Sequence, residues 1–134
     1  LGLQERIKVV RDLARRERNV VLMTGEVDVI SDGMRTISVA NGHALLGEIT
    51  GSGCTLGTTV AAVLAVERGD VLMGTLAAVL LFDIAAELAA DKAGGPGTFV
   101  PLFVDALYDL RERSKAGDGK WAMRARVEMH KLEE

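Results

Sequence analysis

Disulfides are excluded at once: the 134-residue chain holds a single cysteine, Cys54, so no intrachain bridge can form. Only two histidines accompany it, His43 and His130, too few for a zinc site of the usual kind, and no metal ligand is assigned. A chain this poor in cysteine suits a reducing setting, and an intracellular, cytoplasmic one is expected. Aromatic residues make up only 4%, so the core must be built from Val, Leu, Ile, Ala and Met. Basic side chains do not outnumber acidic ones: 16 Lys and Arg stand against 19 Asp and Glu, for a net charge of −3. No basic patch interleaved with aromatics occurs, so nothing points to nucleic acid. The one long apolar run, Val71 to Ala90, contains Asp83 and Glu87 and is rich in Ala. A buried or oligomer-facing helix is expected there, not a membrane span. No signal-peptide pattern opens the chain, and a helix pattern starts almost at once from Leu1, as expected of a chain cut from something longer.

Almost half the residues, 49%, are hydrophobic and 26% are charged, an ordinary globular composition for one domain with a real core. The stretch that organises the rest is Glu48-Ile49-Thr50-Gly51-Ser52-Gly53-Cys54-Thr55, a glycine-rich turn running into an apolar helix pattern. Gly51 and Gly53 let the backbone turn sharply and let a ligand come close to it. A helix start carries unpaired N–H groups and the positive end of the helix dipole. Together these make an anion site, most often for phosphate. Cys54 stands where the loop becomes the helix, and a thiol in that position ionises more readily than usual. Two readings of the stretch remain open. In one it is a phosphate cradle with a base or nucleophile beside it. In the other it is only a tight strand-to-helix turn followed by a small, buried, inert cysteine.

Along the chain, Gly2 to Arg18 reads as an amphipathic helix, with Leu3, Ile7, Val10, Leu13 and Ala14 on one side. Val20 to Met23 is a short, wholly apolar run, as expected of a parallel strand covered on both faces. It ends at Thr24-Gly25, on the edge where open α/β sheets bind ligands. Taken by itself, Thr24 reads as a turn residue. Val27–Ser31 and Arg35–Ala40 flank Asp32-Gly33 as a hairpin. Asn41-Gly42 marks a further turn, and the lone His43 after it reads as structural. A helix from Ser52 or Cys54 to about Glu67 ends at Arg68-Gly69. Asp70 caps the next, Val71 to about Lys92, whose alanines allow close backbone approach. Gly94 to Gly97 is a break. Thr98 is expected to cap a last helix, with Pro101 in its first turn and Phe99, Phe103, Leu107 and Leu110 buried. Arg126 to Leu132 alternates as a short terminal strand would. The fold class is α/β. A complete doubly wound sheet needs more parallel strands than this chain offers, so residues 1–134 read as the C-terminal half of a larger domain.

The order Met23-Thr24-Gly25-Glu26-Val27-Asp28, Asp32-Gly33, Asn41-Gly42-His43, Ile49-Thr50-Gly51-Ser52-Gly53-Cys54 resembles the hydroxyethylthiazole kinase family. Gly95-Pro96-Gly97-Thr98-Phe99 and Asp105-Ala106-Leu107 fit the same family, so the resemblance covers most of residues 20–110. It implies a ribokinase-like, three-layer α/β/α fold. It implies ATP- and Mg2+-dependent phosphorylation of the hydroxyl of 4-methyl-5-(2-hydroxyethyl)thiazole, in thiamine biosynthesis and salvage. The flow of Phe99-Val100-Pro101 into a helix is most similar to the kinase half of fungal bifunctional enzymes that also carry a thiamine-phosphate synthase.

Carried over by motif, Gly51, Ser52 and Gly53 resemble the anion hole for the transferring phosphoryl group, and Gly51 a glycine that contacts the thiazole. Thr24 resembles a threonine on ATP phosphate. Cys54 stands where most ribokinase-like enzymes have a catalytic Asp. The family's N-terminal half, with its acidic Mg2+-handling residues and much of the thiazole pocket, has no counterpart here. The partners implied are ATP, the thiazole, that N-terminal half and further copies in a homo-oligomer, a trimer or a multiple of it. Two rivals stand beside this reading. Hydroxymethylpyrimidine (phosphate) kinase, also ribokinase-like, has a loop similar to Gly51–Leu56. A noncatalytic fragment that holds an assembly through its Ala-rich helix is the other.

Overall fold

A computed structural model describes residues 1–131 of the chain. Helix α1, Leu3–Glu17, sets Ile7, Val10 and Ala14 on its buried side, as its spacing predicts. Strands β1 (Val21–Met23), β2 (Asp28–Ser31) and β3 (Thr36–Val39) follow, then a 3-10 turn over Ala44–Gly47. Helices α2 (Ser52–Val66), α3 (Val71–Ala90) and α4 (Pro96–Lys115) come next. A second 3-10 turn, Lys120–Arg124, leads to β4, Val127–His130. The expected terminal strand is therefore present, although its last expected residue, Leu132, lies outside the described residues.

The sheet order is β1-β2-β3-β4, and every neighbouring pair is antiparallel. This corrects the expectation for Val20–Met23. β1 is half-buried at one end of the described sheet, and it pairs with β2 through Leu22 and Ile30. An uninterrupted apolar run fits either a doubly covered parallel strand or a short strand at the sheet's margin, and nothing local separates the two.

The Asp32-Gly33 hairpin forms as read. Asp32 Oδ1 accepts from the N–H groups of Met34 at 2.8 Å and Arg35 at 2.7 Å. Its two strands are buried on both faces, so their alternation sorts residues between two packed layers instead of core and solvent. Val29 joins Ile7 and Val10 under α1. Ile30, Ile37 and Val39 point the other way, into the core shared with α3 and α4. On the α1 side, the hydroxyls of Ser31 and Thr36 satisfy each other at 2.9 Å, which removes the cost of burying them.

Three layers result: α1, the sheet, and the α2–α3–α4 helices, as in the ribokinase-like α/β/α arrangement. α3 is the core helix, packed against both α2 and α4. An 18-residue stretch of it has a mean hydropathy of 2.0, which would suit a membrane, but 67% of that stretch is buried inside the protein. Close approach to α2 is set by Gly74, where a Cβ would come within 2.8 Å of Leu64 Cδ2. Phe82 meets Phe103 edge-on, with ring centroids 5.0 Å apart, and Phe99 stacks on Phe103 at 5.6 Å. Asp70 caps α3 by accepting from the Met73 N–H at 3.2 Å. Arg35 bridges Asp70 to Asp32, tying the hairpin to this cap. Its hydrogen bond holds the Asp70 carboxyl below the usual carboxylate range.

α4 departs from expectation at its start. Gly95 is the N-cap and Pro96 the first helical residue, which suits a proline because that N–H has no helical partner. Thr98 lies within the first turn and instead accepts from the Gly94 N–H at 2.9 Å. Pro101 consequently falls inside the helix, beyond the first turn. Phe99, Phe103 and Leu110 are buried, and Leu107 is half-buried against the same core.

Candidate active site

The N-terminus of α2 opens onto the sheet. Gly51 is its N-cap at φ +89°, a left-handed geometry that favours glycine. The first helical bond runs from the Thr55 N–H to the Gly51 carbonyl at 2.9 Å. The N–H groups of Ser52, Gly53 and Cys54 lie ahead of it, without a helical partner. A Cβ placed on Gly51 or Gly53 would meet no atom within 4 Å, so the space over these donors is open. Aligned N–H groups and the helix dipole make this space favourable for an anion.

Ser52 and Gly53 share a cavity of about 780 Å³ with Thr24, Gly25, Asn41 and Asp83. Two of the sequence-predicted groups, Thr24 and the Ser52–Gly53 donors, thus converge from distant parts of the chain. Thr24 is exposed, on a turn clamped from two sides. From α1, Arg6 donates to the carbonyls of Val27 at 2.8 Å and Thr24 at 3.3 Å. From β2, Asp28 Oδ1 accepts the Gly25 N–H at 3.0 Å. A Cβ at Gly25 would lie 2.8 Å from the Arg6 guanidinium, so a larger residue there would push this flexible side chain aside.

Cys54 lies on the other side of the helix start. It lines a shallower groove of about 460 Å³ with Thr55, Thr58, Leu107 and Arg111. Its thiol is exposed, which corrects the expectation of burial in the second reading of this cysteine.

Asn41-Gly42-His43 carries structural work at the cavity rim. Asn41 donates to Glu87 Oε2 and to the Arg124 carbonyl, both at 2.8 Å, and accepts from the Arg126 N–H at 2.7 Å. Glu87 also accepts from the Gly42 N–H at 3.0 Å and pairs with Arg124 and Arg126. The turn, α3 and the segment before β4 are thereby joined at one buried carboxylate. Gly42, at φ +108°, brings the backbone onto Asp83. His43 accepts from the Leu45 N–H through Nδ1 at 3.1 Å, capping the 3-10 turn.

Sequence reasoning passed over Asp28 and Asp83, both buried in the cavity wall. The available signal was an acid pair, Asp83 and Glu87, one helical turn apart in an otherwise apolar run. In the sequence alone that pair argues only against a membrane span. Burial first, then the neighbouring Asp28 and Glu87, push Asp83 up to about 9.

A three-layer α/β/α core with an anion cradle at a helix start, facing a cavity beside the sheet, defines a ribokinase-like protein. Residues 2–113 match the profile of the Hydroxyethylthiazole kinase family, and the chain belongs to that family. A probable thiamine biosynthetic bifunctional enzyme of Schizosaccharomyces pombe is 42% identical over 134 aligned residues, covering 94% of this chain and 26% of that protein. The hydroxyethylthiazole kinase of Klebsiella pneumoniae is 50% identical over 96 residues, 72% of this chain and 37% of that enzyme. Among solved structures, hydroxyethylthiazole kinase from Pyrococcus horikoshii superposes with a TM-score of 0.85 at 36% identity, over 96% of this chain and 47% of that one. The chain thus spans less than half the length of each of these relatives.

Proposed function

We propose that the protein containing this chain phosphorylates the hydroxyl of 4-methyl-5-(2-hydroxyethyl)thiazole with ATP, serving thiamine biosynthesis or salvage. The observation that carries this reading is the convergence of Thr24 and the unpaired Ser52–Gly53 N–H groups on one open cavity. Phosphoryl transfer needs positioning and charge stabilisation more than covalent work. In this reading Thr24 contacts ATP phosphate, Gly51 also touches the thiazole, and the donors from Gly51 to Gly53 hold the charge that develops on the moving phosphoryl group. The substrate oxygen bonds to phosphorus as the bond to the ADP oxygen breaks, and the hydroxyl proton leaves to a base. Cys54 is the base this chain offers, approached from the groove side of the helix start.

Mg2+ belongs to the reading as the companion of ATP. Among the described residues no cluster of three or more His, Cys, Asp or Glu side chains could hold it. The N-terminal half of the same domain is therefore proposed to supply those ligands, and no step is assigned to the metal here. A cytoplasmic homo-oligomer, a trimer or a multiple of it, completes the proposal.

The test is a substrate comparison on the complete protein, following ADP release with the thiazole alcohol and with hydroxymethylpyrimidine. ATP- and Mg2+-dependent turnover of the thiazole is expected. Turnover of the pyrimidine alcohol alone would move the protein to the other ribokinase-like activity.

A further inference from the structure

Two buried acids line the same cavity where the sheet faces α3. Asp28 and Asp83 are 5% and 4% exposed. The strand register sets Asp28 opposite Val39, on the side of the sheet that packs against α3. Asp28 Oδ1 accepts the Gly25 N–H at 3.0 Å. Asp83 Oδ2 is buried with no hydrogen-bond partner among the described residues.

Among the described residues that line this cavity, none is a lysine or arginine. Along α3 the next acid is Glu87, whose Oε2 is engaged by Asn41 and Gly42 and which pairs with Arg124 and Arg126. From α2 comes Leu56, and from α4 Phe103 lies against Phe82. Glu26 and His43, both exposed, stand at the rim of the cavity. Arg6 reaches the Thr24–Gly25 turn from α1 but bonds carbonyls there. Two carboxylates so placed do not both stay charged; sharing one proton is the low-energy solution.

We infer that Asp83 is a neutral acid that donates its proton to Asp28, and that this pair is a positioning device for the Thr24–Gly25 turn. The functional meaning of the turn rests on the kinase reading; the proton does not. Without a proton, two acceptors face each other and no hydrogen bond links them. With it, α3 is tied through Asp83 and Asp28 to the Gly25 N–H. Loss of the proton drives the carboxylates apart and loosens the turn that carries Thr24.

The sign of the pH dependence follows. The Asp83 pKa moves from 3.8 to about 9 on folding, so within that window the folded state holds the extra proton. Its stabilising effect is complete below the lower value and drains away as pH rises to the upper one. Asp83→Asn keeps a neutral side chain of the same shape and removes the titration.

The experiment uses the complete protein without ATP, in two arms. In the first, urea denaturation is followed across the pH range. Relative to Asp83→Asn, wild type is expected to lose about tenfold in its folding equilibrium constant for each pH unit inside the window. Parallel curves for the two proteins would mean that Asp83 is already ionised in the folded state, and would overturn the inference. In the second arm, hydrogen exchange at the Gly25 amide is read in wild type alone, so it stands even if the variant fails to fold. Its protection factor is expected to hold through neutral pH and to fall as pH passes about 9. Unchanged protection above that pH would remove the positioning role. Failure of either arm leaves the kinase reading untouched, because neither involves substrate.

Discussion

Cys54 is the third residue of α2, with an exposed thiol at the positive end of the helix. An acid is welcome there, since negative charge in a first turn stabilises a helix by about 0.3–1 kcal/mol. Cys54→Asp in the complete enzyme is therefore expected to fold normally and to keep or raise kcat. Cys54→Ala should lower kcat by ~10²-fold, the low end for a general base, while the Gly51–Gly53 donors sustain the remaining activity. Gly53→Val makes the useful contrast. A Cβ there meets no protein atom, so the melting temperature should hardly move. The branched side chain would instead enter the space over the N–H donors and raise KM for ATP while lowering kcat. Steady-state kinetics with thermal melts separates these outcomes. A well-folded, inactive Cys54→Asp enzyme would remove Cys54 as the base. The sequence made the loop, the helix start and this thiol legible because all three are local. It could not show that Cys54 lies on one side of the helix start and Ser52, Gly53 and Thr24 on the other.

Among the elements, the β2–β3 hairpin is the joint between layers. Its turn packs directly on α1: Arg15 donates to the Gly33 carbonyl at 3.1 Å. Gly33 has φ +90°, and a Cβ there would lie 2.9 Å from Arg15 Cα, a backbone atom that cannot step aside. Gly33→Ala is expected to cost about 1–3 kcal/mol, from left-handed strain together with the clash. Gly119→Ala is the control, since Gly119 has φ −99° and open space around it, and should change stability by less than about 0.5 kcal/mol. Urea titration of both variants checks the difference, and equal midpoints would mean that the hairpin does not lean on α1.

The hairpin, α1, the Asp70 cap and the bounds of α2 could be read from sequence because their signals lie within a few residues. β1 was misplaced because pairing direction is a long-range property. The cap of α4 was misplaced because Gly95-Pro96 offered an earlier start than Thr98. Asp28 and Asp83 went unread as a pair because only the stacking of α3 on the sheet brings them together.

The whole molecule is a layered piece whose site is open. β1 forms one edge of the described sheet, with its apolar Val21, Leu22 and Met23 only half-buried. An apolar edge strand of this kind is normally covered or paired. The cavity draws the Ser52–Gly53 helix start and Thr24 from this chain, but no metal-binding cluster among the described residues. Relatives are more than twice as long: the chain spans 47% of the Pyrococcus horikoshii structure and 37% of the Klebsiella pneumoniae enzyme. These facts together predict that residues 1–134 alone bind ATP poorly and do not turn over the thiazole. Restoring the N-terminal half, fused or co-expressed, should cover the β1 edge and bring the metal ligands. It should recover ATP- and Mg2+-dependent activity in a particle whose mass by light scattering is a trimer or a multiple of one. The comparison also decides between an enzyme and an assembly fragment. If the chain forms the same oligomer by itself, and the completed protein phosphorylates neither alcohol, the chain serves assembly alone, and through surfaces other than α3, most of whose alanines are buried inside it. Measurable turnover by the purified chain, free of any N-terminal segment, would refute the division of labour and place the whole catalytic apparatus within these residues.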